Sequence, residues 1–394
     1  MKEILSKYFQ GDKRIWAVIV FLTIISLVSV YSSIGNLAFN KGINNTSSII
    51  LNHITFIIVG YILIIFLHKI SYKVYFSLSQ VFIVLVILLL LYTLIKGTDN
   101  NDAKRWVNIF GFGIQASDFA KFGLILYIAR ILSMHQESEE SLNIAYKNLI
   151  WPIIIITALI FPENISTAAL LFLSSLILMF IGRIPIKTLL KFIGIMMAIL
   201  TFAVLIALVT PYKGRVLTGI SRFKNFQSED IRINQQTITA KSAIASSGII
   251  GKGPGNSSVK YILSSGHSDF IFAIIIEELG SLIAILVLAS YLFIFYRVGV
   301  IAKESSMTFP ALLAIGLSLN LVIQAFTNMM VAVNLFPVTG QTLPLISKGG
   351  TSMLTTFASL AIILNISKEI QNNKNNEIEI NEETGLAEDS SIYL

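Results

Sequence analysis

The chain has 394 residues, of which 55% are hydrophobic and only 13% are charged. Soluble domains carry about 25% charged residues, so this composition excludes an ordinary soluble protein and predicts an all-α polytopic integral membrane protein. The formal net charge of +7 in so apolar a chain does not indicate a nucleic-acid partner, and the absence of cysteine excludes disulfides and thiolate chemistry.

Ten apolar runs approach or reach the length of about 20 residues that a bilayer-spanning helix needs. They are Ile15–Ile34, Ile49–Leu67, Tyr75–Ile95, Phe119–Leu132, Leu149–Phe161, Thr167–Ile181, Leu190–Thr210, Phe270–Tyr296, Phe309–Met330 and Thr351–Ile366. Pro152 and Pro162 interrupt the short fourth to sixth runs. A basic lead over 1–14, with no cleavable signal expected, precedes the ten-span domain over 15–366. An acidic tail predicted to be disordered follows over 367–394.

The basic residues predict the orientation. An even number of spans puts both termini on one side, and short loops on that side carry Lys and Arg while those on the other side are nearly free of them. Because short loops decide orientation, both termini are predicted to be cytoplasmic. Twelve of the fourteen basic residues outside then lie in two long loops, four in Lys96–Lys121 and eight in Lys213–Lys260. They indicate an anionic partner such as a lipid phosphate, with simple solvation of the loops as the alternative.

The first outer loop contains the basic pair Lys104 and Arg105. Ser117 or Asp118 is a candidate N-cap for the fourth span. Lys121 falls in the first turn of that span. A lysine in a membrane helix tends to pair with a carboxylate or to face a cavity, and the alternative is a lysine that snorkels to the interface.

The second outer loop is large and lies between the seventh and eighth spans, over 211–269. Its candidate ligands for an anionic headgroup are Arg215, Arg222, Lys241, Lys252 and Asn256. Backbone N–H groups of the glycine-rich run Gly251–Gly255 could approach a phosphate. The run is not a Walker loop, because it lacks the G-K-[ST] spacing and a preceding strand.

Three carboxylates follow this loop. Asp269 stands at the start of the eighth span, where it could cap the helix or act as a general base. Glu277 and Glu278 lie two turns deeper, and because adjacent helical residues diverge by about 100°, they cannot both face one cavity squarely. One of them could pair with a basic residue such as Lys121 or Arg130.

Four blocks of the sequence together resemble the SEDS family (shape, elongation, division and sporulation), in the order the family shows. They are Lys104-Arg105-Trp106 with Gln115–Lys121, the run Gly251–Gly255, the stretch His267–Gly280, and Asn328 with Pro337–Ser352. The run Thr342–Ser347 followed by two glycines is more similar to the division members than to the elongation members. The chain departs from the family at Asp118, Glu163-Asn164, Leu263-Ser264-Ser265 and Lys348, where glutamate, Pro-Asp, Leu-Pro-Glu and tyrosine are usual.

The resemblance implies that the protein polymerises lipid II into glycan strands at the outer face of the bacterial cytoplasmic membrane, at the division septum. It implies Asp269 as the general base of an inverting transfer, with candidate substrate ligands Lys104, Arg105, Lys121, Arg215, Arg222, Lys241, Lys252, Asn256, His267 and Ser347. Glu277, Glu278 and Asn328 are implied supporting residues.

The implied partners are lipid II, the growing glycan strand, a class B penicillin-binding transpeptidase, other divisome proteins and the bilayer. Four histidines without metal-ligand spacing give no dedicated metal cage, although a divalent cation, Mg²⁺ or Mn²⁺, is compatible with a pyrophosphate leaving group. A flippase or transporter of the lipid-linked precursor and an elongation-type polymerase are the alternatives.

Overall fold

The structure is a computed structural model, and it describes residues 10–33, 46–100, 103–109, 112–209, 226, 235–259, 262–263 and 266–384. Its long helices are α1 (Lys13–Ser33), α2 (Thr46–Leu67), α3 (Tyr72–Lys96), α4 (Ala116–Met134), α5 (Glu139–Ile160), α6 (Ile165–Ile181), α7 (Ile186–Val209), α8 (Gln235–Ala245), α9 (Ile271–Glu304), α10 (Thr308–Ala332) and α11 (Gly350–Thr384). Strands β1 (Thr98–Asn100), β2 (Ala103–Ile109) and β3 (Phe112–Gln115) form a small antiparallel sheet in the first loop.

The helices confirm a multi-pass membrane architecture. Within the described ranges, seven helices are long and apolar enough to cross a bilayer, namely α1, α2, α3, α5, α9, α10 and α11. Helix α6 is a shorter apolar helix of 17 residues. Helices α4 and α7 lie at the two other predicted spans. Helix α8 belongs to the large loop and packs against α9 and α10.

The boundaries of the fifth span differ from the prediction. Helix α5 begins at Glu139, ten residues before the predicted start at Leu149. Ser138 is its N-cap and accepts a hydrogen bond from the backbone N–H of Ser141 at 3.2 Å. Pro152 lies inside α5 without ending it, whereas Pro162 falls in the turn between α5 and α6. Only the second proline therefore separates two spans.

Helix α11 continues past Lys368 to Thr384, into the segment for which the sequence predicts a disordered tail. No glycine or proline stands between Thr351 and Thr384, and extending an existing helix costs little per residue. Lys374 also pairs with Glu304 at the end of α9, with 3.0 Å between Nζ and Oε2. Residues 385–394 lie outside the described residues.

Helix α10 is central, because it packs against α4, α6, α9 and α11. Helices α1 and α9 are tied at one membrane face by the ion pair of buried Asp12 with Arg297, whose Oδ2 and Nε lie 2.8 Å apart. At 1.5 Å per residue, Ser32 of α1 and Gly280 of α9 lie about 30 and 26 Å from that pair. Because the hydrocarbon layer is about 30 Å thick, both lie at the opposite membrane face. That face is the predicted outer one.

Candidate active site

Helix α9 is broken at Gly280, where the backbone has φ 87° and ψ 167°. The break separates the nine-residue segment 271–279 from the rest of the helix. Loop 248–253 crosses the break at close range. A Cβ on Gly280 would lie 2.1 Å from a carbonyl oxygen of the loop, and a Cβ on Gly251 would lie 2.4 Å from a carbonyl oxygen of the segment. Both glycines also have φ above +80°, so only glycine fits at this crossing.

The backbone N–H groups of the loop are used within the protein. Those of Lys252 and Gly253 donate to the carbonyl oxygens of Glu277 and Glu278, each at 2.9 Å. The two carbonyl groups need these donors because the break removes their partners one helical turn further on. The prediction that the glycine-rich run presents N–H groups to a phosphate is therefore wrong for these two groups.

Glu277 is fully buried, and its carboxylate is surrounded by donors from the same loop. Lys252 Nζ lies 2.7 Å from Oε1, and Ser258 donates to the same oxygen through its N–H at 3.0 Å and its hydroxyl at 2.5 Å. The Ser257 hydroxyl donates to Oε2 at 2.5 Å. One of the two carboxylates therefore pairs with a basic residue, as expected, but the cation is Lys252 and not one of the examples Lys121 and Arg130.

Glu278 is also buried, yet it reaches the same loop as its neighbour. Its Oε1 accepts from the backbone N–H of Ser257 at 3.0 Å and from the hydroxyl of Ser32 on α1. Adjacent helical side chains diverge, but the loop folds around the broken end of the segment and meets both of them. Glu277 and Glu278 thus join α9 to the loop and to α1.

Asp269 lies in the turn 266–270 that leads into α9. Its side chain is half-buried. The N-cap of α9 is Phe270, so Asp269 stands one residue outside the cap position that the sequence suggested. This position puts a carboxylate at the membrane face reached by both long loops.

Buried side chains hold the backbone of this turn. The Asn328 amide, 1% exposed, donates to Asp269 O at 3.0 Å and to Gln341 O at 2.8 Å, with a longer contact of 3.4 Å to Ser268 O. The Ser347 hydroxyl donates to Ser268 O at 2.8 Å. The supporting role predicted for Asn328 therefore has a geometric basis.

The segment after α10 fits against this turn. Lys348 N donates to His267 O at 3.0 Å, and the Ser347 hydroxyl also accepts from Leu343 N at 2.7 Å. Leu345 has φ 62°, a conformation that a leucine rarely adopts. Ser347, a predicted substrate ligand, is buried and uses its hydroxyl within the protein, while His267 lies in the turn that carries Asp269.

A buried ion pair lies at the start of α4. Lys121 Nζ is 2.9 Å from Asp118 Oδ1 and 3.0 Å from Gln324 Oε1 on α10. Thr351 donates to Asp118 Oδ2 at 3.2 Å. Lys121 therefore pairs with a carboxylate and does not snorkel. The N-cap of α4 is Gln115, so neither of the two predicted cap residues occupies that position.

A polar cavity adjoins this pair. Its lining includes Asp118, Lys121, Asn320, Gln324, Thr355 and Ser359. Asn320 is the middle residue of α10, twelve positions and about 18 Å from either end of the helix. Polar side chains at this depth are costly in a membrane protein, which makes this cavity a candidate functional region.

Sequence reasoning missed the side-chain amides that connect α6 and α10 to the segment between α10 and α11. Gln341 donates to Thr167 on α6 at 2.6 Å, and Gln324 donates to Thr342 O at 3.0 Å. Asn164 caps α6 and donates to Thr339 O at 3.3 Å. The signal available in the sequence was a glutamine inside the apolar run that forms α10.

The remaining predicted ligands lie on other elements or outside the described residues. Lys104 and Arg105 lie on β2, Lys241 is exposed on α8, and Asn256 donates to Lys252 O at 3.0 Å. Arg215 and Arg222 are outside the described residues. In the part of the chain that the structure describes, no three His, Cys, Asp or Glu side chains come together as a metal site.

The fold and site define a multi-pass membrane protein with an aspartate at one face of its helix bundle, whose backbone carbonyl is bound by a buried asparagine amide. The sequence profile of the FtsW, RodA and SpoVE family, described as cell cycle protein, matches residues 12–372. The chain belongs to this family.

Curated relatives and solved structures agree with this membership. The chain is 30% identical over 374 residues to "Probable peptidoglycan glycosyltransferase FtsW" of Trichlorobacter lovleyi, covering 93% of this chain and 96% of the relative. It is 29% identical over 384 residues to the protein of the same name from Bacillus subtilis, covering 95% and 94%.

The fold resembles two solved structures. One is a chain from a study entitled "Structural coordination of polymerization and crosslinking by a peptidoglycan synthase complex", with a TM-score of 0.73, 21% identity and coverage of 91% of this chain and 98% of that chain. The other is the rod shape determining protein RodA of Thermus thermophilus, with a TM-score of 0.66, 21% identity and coverage of 92% and 98%.

Proposed function

We propose that the protein is a peptidoglycan glycosyltransferase that polymerises lipid II into glycan strands during cell division. The observation that carries the proposal is the placement of Asp269, half-buried at one membrane face, with its backbone carbonyl bound by the buried Asn328 amide. Relatives that match nearly the whole chain carry the name of this activity.

Asp269 is proposed as the general base. The 4-hydroxyl of the acceptor sugar loses its proton to the carboxylate as its oxygen attacks the anomeric carbon of the donor. The bond from that carbon to the polyprenyl pyrophosphate breaks in the same displacement, which inverts the anomeric centre. A phosphate leaving group needs less help from an acid than a sugar alkoxide, so one carboxylate suffices.

Cations stabilise the charge that develops on the leaving pyrophosphate. Lys121 and Lys252 are engaged by carboxylates within the protein, at 2.9 and 2.7 Å. The role therefore falls mainly to the other basic residues predicted from the two loops, which are Lys104, Arg105, Lys241, Arg215 and Arg222.

We place the reaction at the outer face of the cytoplasmic membrane, at the septum, with both termini in the cytoplasm. The proposed partner is a class B penicillin-binding transpeptidase that crosslinks the new strand. The solved complex to which this fold is similar is described as coordinating polymerization and crosslinking, which supports such a pairing.

Purified protein supplied with fluorescent lipid II tests the proposal. We expect a ladder of glycan polymer on a gel. The polar cavity that reaches Asn320 gives the flippase alternative a specific basis. Leaflet exchange of lipid II in liposomes without polymer would favour the flippase and contradict our proposal.

The orientation can be checked by labelling, because the chain has no cysteine and any introduced cysteine is unique. We expect Leu335→Cys, exposed between α10 and α11, to react with an impermeant maleimide in intact spheroplasts. Ser306→Cys, exposed between α9 and α10, is expected to react only after permeabilisation. The reverse labelling pattern would contradict cytoplasmic termini.

A further inference from the structure

Asp269 precedes a helical segment that is short and separated from its own helix. Segment 271–279 has nine residues and ends at the break at Gly280. Isolated helices shorter than about 12 residues are marginal, so the orientation of this segment depends on what binds its two ends. Asn328 and Ser347 bind the turn before it.

The other end is held by a set of contacts that we call the clasp, formed by Glu277 with Lys252, Ser257 and Ser258. Glu277 is 0% exposed, and each of its carboxylate oxygens accepts at least one hydrogen bond from the loop. The carboxylate is thereby shielded from solvent and from any bound sugar. Neither proton transfer nor substrate contact is its role.

The side chain of Lys252 is likewise fully hydrogen-bonded within the protein. Its ammonium group has three N–H donors. They are directed at Glu277 Oε1 at 2.7 Å, Ser246 Oγ at 2.7 Å and Ser258 Oγ at 3.2 Å. No donor is left over for a pyrophosphate oxygen in this arrangement. The lysine that the sequence marks as a substrate ligand is therefore the counter-ion of a buried carboxylate.

We infer that the Glu277–Lys252 pair is a positioning device, which sets where segment 271–279 places Asp269 against the acceptor sugar. The inference rests on the proposed function of Asp269. Glu277 and Asp269 are eight positions apart, which corresponds to about 12 Å along a helix. A displacement of about 1 Å at a reacting group can lower the rate about 100-fold, so a loosened clasp acts at this distance without contacting substrate.

The two roles for Lys252 predict different kinetics. As part of the clasp, Lys252→Ala leaves the buried Glu277 without a cation, disturbs the segment and lowers kcat about tenfold or more, with KM for lipid II nearly unchanged. As a ligand of the pyrophosphate, which is present in bound lipid II and gains charge in the transition state, the same change would raise KM as well as lower kcat.

A second substitution in the same protein sharpens the test. Glu277→Gln removes the buried charge and keeps the shape of the side chain. In the double variant Lys252→Ala/Glu277→Gln no uncompensated charge is buried, so we expect kcat to recover at least about threefold over Lys252→Ala. A lost substrate ligand could not be restored in this way. If Lys252→Ala fails to accumulate in the membrane, recovery of insertion and activity in the double variant is the expected result.

The control is Glu304→Gln, which removes the exposed ion pair with Lys374 at the opposite end of α9 and is expected to leave kcat and KM unchanged. A clearly raised KM for lipid II in Lys252→Ala, or a double variant with a kcat no higher than that of Lys252→Ala, overturns the inference. If wild-type protein forms no polymer, the proposed function fails instead. The test of the clasp requires two results. Wild-type protein must polymerise lipid II, and the Asp269→Asn variant must fail to do so.

Discussion

Replacing Asp269 by asparagine is expected to abolish glycan-strand synthesis while the protein still inserts and binds lipid II. The asparagine keeps the size of the side chain but cannot accept the proton of the acceptor hydroxyl. Removal of a general base lowers rates about 10²–10⁴-fold, which would bring the polymer below detection on a gel. The measurement is polymer formed per protein over time, with lipid II binding measured on the same preparation.

The matched control is Glu139→Gln, which neutralises an exposed carboxylate in the first turn of α5, at the predicted cytoplasmic face and so opposite the two outer loops. It should retain wild-type activity. Polymer formed by Asp269→Asn at more than about a tenth of the wild-type rate would contradict the assignment of Asp269 as the base.

The spans were predictable because a bilayer requires continuous apolar runs and this requirement is local in sequence. Ten runs of this kind each coincide with a helix. The end of α11 was less predictable, because the polar sequence of its last turns is compatible both with a solvent-exposed helix and with a disordered tail. The sheet in the first loop escaped notice, because its strands are only three to seven residues long.

For the candidate site, the sequence supplied residues but not their contacts. It named Asp269 and Asn328 as candidates, and what each of them contacts depends on pairings between distant positions. Lys252 and Glu277 are 25 residues apart, and their pairing follows from the break in α9 at Gly280. A glycine within an apolar run does not by itself predict such a break. The glycine-rich pattern of Gly251–Gly255 is thus equally compatible with a phosphate-binding loop and with a structural loop.

Replacing Asn328 by alanine is expected to have the second-largest effect, a loss of about 100-fold in kcat. The amide bridges Asp269 O and Gln341 O, so it links the turn that carries the proposed base to the segment after α10. Alanine leaves these buried carbonyl groups without their donor, and the turn shifts to find new ones. Because a misplacement of about 1 Å can lower the rate about 100-fold, we expect kcat to fall far more than KM changes.

Thr327→Val is the matched control for this variant. Thr327 is the preceding residue, it is also buried, and its hydroxyl bonds to Ile323 O inside α10 at 2.7 Å. Both substitutions remove a buried polar group from the same turn of the same helix, but only Asn328 reaches the backbone of Asp269. Equal losses of kcat in Asn328→Ala and Thr327→Val would mean that any buried substitution in this turn of α10 impairs the protein, and would contradict a specific link to Asp269. A loss confined to Asn328→Ala, with unchanged thermal unfolding in detergent, would identify the link to Asp269 as the cause.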